Sequence, residues 1–167
     1  KLQVPPLRPH WLPRQLLIER LNQRVFQTRL TLLHAPAGYG KSTLLSLWAH
    51  QQAAVTAWFS LSESDNDPTT FMRYLVTAVQ RVYPHIGSTT ADLLTTLFQT
   101  PLTTILVTFI NELNTLTRPL VIILDDFHLI TTPSLHEAIH FLIQHLPAAV
   151  HFIITSRTEM PFPLARL

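Results

Sequence analysis

The chain has 167 residues, 47% hydrophobic, 13% charged and none of them cysteine. So apolar a chain of this length collapses around one real core instead of staying disordered. Without thiols it has no disulfide staple, no cysteine nucleophile and no cysteine-ligated metal centre, a composition suited to the cytoplasm. The net charge of +2 is unevenly spread: through Arg29 there are six basic residues and one acid, and beyond it six basic residues and nine acids. The basic stretch reads as a solvated helix face, not as the clustered Lys and Arg of a nucleic-acid interface. Pure apolar runs such as Leu120–Leu124 fall far short of the ~20 residues of a membrane span. The opening residues carry no signal peptide and no initiator methionine, as in a processed or excised piece.

In chain order, Pro5, Pro6, Pro9 and Pro13 make an extended lead-in. Leu16, Leu17, Leu21 and Val25 then recur at helical spacing. Residues 30–35 form a short apolar strand that stops at a glycine-containing loop, Pro36-Ala37-Gly38-Tyr39-Gly40. A helix follows from Lys41 to about Gln52. Val55–Leu61 is β-branched and aromatic, so it is a second strand. Asp67-Pro68 opens a helix as N-cap and first-turn proline, with Phe71, Leu75, Val79 and Val82 on its apolar face. Two more helices are expected at about 91–98 and 102–116. Leu120–Leu124 is apolar throughout, as a parallel strand buried on both faces must be. A helix over about 134–146 and a fourth strand, Val150–Thr155, complete the chain. Strands alternating with helices predict an α/β domain with a parallel sheet and helices on both faces. Ligand chemistry in such sheets lies beyond the carboxyl ends of the strands.

One such end carries Ala35-Pro36-Ala37-Gly38-Tyr39-Gly40-Lys41-Ser42, the pattern G-x-x-x-x-G-K-[ST] with alanine at its first position. Gly38 and Gly40 permit backbone conformations that aim several N–H groups into one hollow, and the following helix adds its positive end. Lys41 is placed for β- and γ-phosphates, the Ser42 hydroxyl for Mg²⁺ and Thr43 for the α-phosphate side. Composition alone would produce G-x-G-K-[ST] on the order of 10⁻⁴ times. The third strand, Leu120–Leu124, is followed by Asp125-Asp126, the expected other half of a phosphate-loop site. Asp125 is the candidate to hold Mg²⁺ beside Ser42, and Asp126 to polarise an attacking water. Arg157, after the fourth strand, is the candidate to read or stabilise a γ-phosphate.

A competing motif is His136-Glu137-Ala138-Ile139-His140, the H-E-x-x-H of zinc proteases. It arises by chance roughly a hundredfold more readily than the phosphate loop and lacks a suitable third ligand, since Glu159 lies past a strand. Two helix-surface histidines are the expectation. Asp67 in Asp65-Asn66-Asp67-Pro68 is expected to cap a helix, and His34 and His128 to be loop histidines near the site.

These residues resemble the N-terminal nucleotide-binding domain of the large ATP-dependent LuxR-type transcriptional activators. That is the family of the maltose regulon activator and a branch of the STAND signal-transduction ATPases. The resemblance covers nearly the whole chain. It rests on Leu7-Arg8-Pro9, Pro13-Arg14, residues 35–42, Ala57–Leu61, Asp65–Pro68, Leu124–His128, Phe141-Leu142, His145–Pro147, Thr155–Arg157 and Pro163–Leu167. Ala35 matches the family's usual alanine, while Ser42 and Phe127 stand where threonine and tyrosine are more frequent.

The resemblance implies a P-loop NTPase fold with the Thr155 strand between the phosphate-loop strand and the Asp125 strand. It places a fifth strand after Thr155, so that the sheet here is one strand short. Residues 1–29 are then a lead-in and helix with Arg14 near the adenine, and residues 30–167 the nucleotide-binding domain. ATP acts as a switch in such proteins: the ATP form self-associates and slow hydrolysis to ADP resets it. DNA is contacted only through a C-terminal domain beyond Leu167. The basic lead-in is then explained by phosphate attraction. The alternatives are a P-loop kinase or other ATPase enzyme, and a non-hydrolysing module that a nucleotide stabilises.

Overall fold

A computed structural model describes residues 1–161 apart from 10, 13 and 96–99. Among these residues four parallel strands form one sheet: β1 (Leu30–His34), β2 (Val55–Ser60), β3 (Leu120–Asp125) and β4 (Val150–Ser156). Their spatial order is β1-β4-β3-β2, so the Thr155 strand does lie between the phosphate-loop strand and the Asp125 strand. Register pairs Leu33 with Thr155 and Ser60 with Asp125, which brings the carboxyl ends of all four strands to one edge of the sheet. No fifth strand occurs among the described residues; β1 stands at the edge with Leu30–Leu33 half-buried.

Among the described residues six helices cover the sheet: α1 (Gln15–Arg24), α2 (Lys41–Gln51), α3 (Pro68–Gln80), α4 (Ser88–Thr95), α5 (Leu102–Leu113) and α6 (Pro133–Gln144). The two-residue alternation of strand side chains sorts the core into two layers. Leu120, Ile122 and Leu124 of β3, with Phe152 and Ile154 of β4, pack under α3–α6. Val121, Ile123, Ile153 and Trp58 pack under α1 and α2. Helices on both faces are thus what makes every residue of β3 and β4 buried.

Most elements fall where the apolar spacing puts them, and three details differ. The buried stripe of α1 is Ile18 and Leu21, continued by Val25, while Leu16 is 75% exposed. The spacings 18, 21 and 25 are one helical face, and Leu16 points away from it. The short 3₁₀ turns at Val25–Gln27, Glu63–Asn66 and Phe127–Leu129 have no apolar period to betray them. His136 and His140 are half-buried, not surface residues. His136 Nε2 lies 2.8 Å from the Ile130 carbonyl, and its ring sits 5.9 Å from that of Phe127. Among the described residues no three His, Cys, Asp or Glu gather as a metal site. No helix there is long and apolar enough to cross a membrane. The end of the helix expected at 91–98, Pro13 and the Pro163–Leu167 segment lie outside the described residues.

Candidate functional site

The phosphate loop runs from the end of β1 into α2. Gly38 and Gly40 have φ of +80° and +74°, in the left-handed region that glycine enters without cost. Gly40 is the N-cap of α2, so the loop delivers the chain into the helix with its first N–H groups facing outward. The start of the loop is tied down by the Ala35 N–H, which donates to the Ser156 carbonyl of β4 (3.3 Å). Lys41 is folded over the loop, its ammonium donating to the carbonyls of Ala35 (2.5 Å) and Pro36 (3.0 Å). Pro36, Ala37, Gly38 and Tyr39 are exposed.

Across the mouth of the loop stands Asp125, the last residue of β3 and 4% exposed. The Ser42 hydroxyl donates to its Oδ1 at 3.0 Å, linking residues 83 apart in the chain. Thr155 of β4, wholly buried, donates to the same oxygen at 2.7 Å. Burial pushes the Asp125 carboxyl above the usual aspartate range, and the nearby Asp126 charge adds to this. The hydrogen bonds from Thr155 and Ser42 oppose the rise. A buried carboxylate beside a serine hydroxyl is an all-oxygen donor set, the kind that a hard divalent cation such as Mg²⁺ takes.

Asp126 is the one non-glycine residue with positive φ among those described, at +62°. Aspartate tolerates this region better than most residues. The conformation is held from β4, because the Asp126 N–H donates to the Thr155 hydroxyl at 2.9 Å. The turn swings the Asp126 carboxylate away from the strand, to 3.7 Å from the Arg157 guanidinium and 3.8 Å from His128 Nδ1. Burial lowers the His128 pKa, helped by the Arg157 and Lys41 charges and opposed by Asp126 and Asp125. The neutral imidazole is therefore favoured. His34 faces the same corner, with Nε2 3.2 Å from the Arg157 carbonyl.

On the other side of α2, Trp11, Leu12 and Arg14 face Gly40, Thr43, Leu44 and Leu47 across a cleft of about 230 Å³. That is smaller than the ~300–1,000 Å³ of a whole-ligand pocket, so it has room for one part of a nucleotide. Arg14 opens α1, and α1 is fastened to α2 by Asn22, whose Oδ1 accepts from Trp48 Nε1 at 2.8 Å.

Lys41, Ser42, Thr43, Asp125, Asp126, Arg157 and Arg14 thus meet at one end of the sheet. Sequence reasoning missed Thr155 as the bridge between Asp125 and Asp126. The available signal was a β-branched hydroxyl ending an otherwise apolar strand. It also missed Trp11 and Leu12, which no periodicity marks.

A parallel sheet in this order, a glycine loop opening onto a helix and, one strand removed from that loop's strand, a strand ending in an acid together define a P-loop NTPase. The AAA ATPase domain family matches residues 11–155, and the chain belongs to it. Curated relatives named HTH-type transcriptional regulator MalT are similar over most of the chain. That of Yersinia enterocolitica is 39% identical over 83% of this chain and 15% of its own length. That of Cronobacter sakazakii is 34% identical over 100% and 18%, and that of Serratia proteamaculans 36% over 96% and 18%. The chain therefore spans less than a fifth of the length of the relatives it matches. They are transcriptional regulators, as the resemblance implied. Among solved structures, C. elegans PCH-2 matches with a TM-score of 0.42 at 14% identity, covering 89% of this chain and 37% of that one.

Proposed function

We propose that this chain is the ATP- and Mg²⁺-binding switch domain of a LuxR-type transcriptional regulator, with slow hydrolysis to ADP resetting the switch. The observation that carries the reading is the Ser42–Asp125 hydrogen bond of 3.0 Å at the mouth of the phosphate loop. It supports the reading because a hydroxyl and a carboxylate side by side at this loop suit a phosphate-bound cation. Ser42 and Asp125 would hold Mg²⁺, which when bound offsets the charge on the β- and γ-phosphates. Residues 36–43 cradle the phosphates, those after Pro36 through backbone N–H groups. Lys41 exchanges its contacts with the Ala35 and Pro36 carbonyls for phosphate oxygens. The cleft beside Arg14 receives the base, which is the role proposed for the lead-in of residues 1–29; residues 30–167 form the nucleotide-binding unit.

Asp126 orients the attacking water and takes up its proton. Arg157, 3.7 Å from Asp126, is near enough to bring a fixed positive charge to the γ-phosphate. By the same reading the ATP form self-associates in the whole protein, DNA is bound by another part of it, and the setting is the cytoplasm. Calorimetry with ATP tests the core of the proposal. Lys41→Ala should weaken ATP binding at least ~100-fold, the loss of a charge-assisted contact to phosphate. Unchanged affinity would remove the phosphate loop from its role.

A further inference from the structure

Asn66 lies in the 3₁₀ turn between β2 and α3, outside the residues already assigned a role. Its side-chain oxygen accepts from the N–H groups of Thr131 (2.7 Å) and Thr132 (3.1 Å) and from the hydroxyls of Thr132 (3.0 Å) and Thr131 (3.3 Å). Its amide nitrogen donates to the carbonyls of Leu129 (2.8 Å) and Glu63 (3.0 Å). The Thr132 hydroxyl also lies 2.9 Å from the Asn66 carbonyl. Backbone N–H groups only donate and carbonyls only accept, so one orientation of the amide satisfies this set. All but one of these partners belong to residues 129–132, the stretch that follows Asp126.

The turn that carries Asn66 is itself anchored. Asp65, wholly buried, accepts from the Ser62 N–H (2.7 Å) and hydroxyl (2.8 Å) and pairs with the Lys1 ammonium at 2.6 Å. The segment from Asp126 to Thr132 is therefore pinned at both ends. Thr155 holds the N–H of Asp126, and Asn66 holds Leu129, Thr131 and Thr132. Between the pins lie the Asp126 carboxylate and His128.

We propose that Asn66 is a positioning residue for ATP hydrolysis. It fixes the far end of the Asp126–Thr132 segment, so that the Asp126 carboxylate keeps its place beside Arg157 and His128. This rests on the hydrolytic reading above. Asn66 has no role in binding nucleotide, because its side-chain bonds run to its own turn and to the 129–132 stretch. A shift of about 1 Å at a reacting group costs on the order of 100-fold in rate, so releasing one pin slows turnover without loosening ATP.

The test uses Asn66→Ala, Asn66→Asp and Thr132→Val in the full chain. It measures kcat, KM and nucleotide bound per chain. Asn66→Ala should lower kcat about tenfold or more, with KM and bound nucleotide within about twofold of wild type. Asn66→Asp keeps an acceptor for Thr131 and Thr132 and should recover part of the rate. Thr132→Val should lower kcat in the same direction, and combined with Asn66→Ala it should add little. An unchanged kcat in Asn66→Ala, or in Thr132→Val if the alanine variant does not fold, would overturn the proposal. So would a fall in kcat matched by an equal fall in bound nucleotide. A wild type that binds ATP and turns none over would overturn the hydrolytic reading and this inference together. An active wild type with indifferent variants would overturn this inference alone.

Discussion

Thr155→Val separates the hydroxyl of Thr155 from its shape, because valine keeps the branched side chain inside β4. The lost hydroxyl serves two groups at once, donating to the Asp125 carboxylate at 2.7 Å and accepting from the Asp126 N–H at 2.9 Å. A hydrogen bond to a charged group contributes about 1.5–3 kcal/mol, and a stranded buried N–H costs about 1–3 kcal/mol. The added methyl returns less than about 1 kcal/mol of burial. The net loss should be about 2–4 kcal/mol, a large part of the ~5–15 kcal/mol that holds an ordinary domain together. For a domain of this size the melting temperature should fall by roughly 5–15 °C.

Urea unfolding near neutral pH measures the loss. Its pH dependence has a definite sign. The Thr155 bond opposes the burial-driven rise of the Asp125 pKa, so the folded variant should hold its proton to higher pH than wild type. The difference in stability is full where Asp125 is ionised in both proteins. It should shrink as pH falls from the variant's folded pKa to the lower one of the wild type, because a protonated carboxyl needs the donor less. The part due to the Asp126 N–H should persist in acid. A loss below about 0.5 kcal/mol near neutral pH, or one that grows in acid, would refute the bridging role.

Asp126→Asn should leave ATP affinity within about twofold of wild type and slow hydrolysis by ~100-fold or more, the usual contribution of a general base; equal turnover in the two proteins would remove Asp126 from that role. Glu112→Ala should destabilise the fold by about 1–2 kcal/mol without changing ATP affinity. The Glu112 carboxylate on α5 accepts from the N–H groups of Thr89 (3.0 Å) and Thr90 (3.1 Å) and from the Thr90 hydroxyl, capping α4 from outside the helix. Thermal unfolding and calorimetry read the two effects separately, and a drop in ATP affinity would show α4 coupled to the site.

The parts of this protein visible in its sequence are those fixed by neighbours in the chain. Gly40-Lys41-Ser42 opens a helix because a left-handed glycine and a helix N-terminus are local events. Asp67-Pro68 opens α3 for the same reason, with the Asp67 carboxylate accepting from the Thr70 N–H at 2.8 Å. The unbroken run Leu120–Leu124 revealed a strand buried on both faces, and every one of its residues is. What stayed hidden are bonds between residues far apart in the chain. Glu112 reads as an ordinary helix acid until α4 is laid against it. Asn66 reads as turn chemistry until residues 129–132 arrive beside it. Leu16 and Leu17 read as one end of an apolar stripe, but Ile18 is the residue wholly buried against α2, Leu17 packs only in part and Leu16 stays exposed.

Length and composition by themselves predicted that the chain folds around a real core and excluded cysteine chemistry. The glycine spacing and the acidic end of an apolar strand determined that it carries a phosphate loop. Those features depend on backbone conformation and side-chain period, which are properties of short stretches. The tertiary structure decided how the stretches face each other. It placed Thr155 between Asp125 and Asp126, and turned Asp126 out of its strand toward Arg157 and His128. It also set Trp11, Leu12 and Arg14 against α2. Each of these requires strands and helices that are distant in sequence to pack in one order. Burial of apolar surface drives that packing without naming which polar groups will meet.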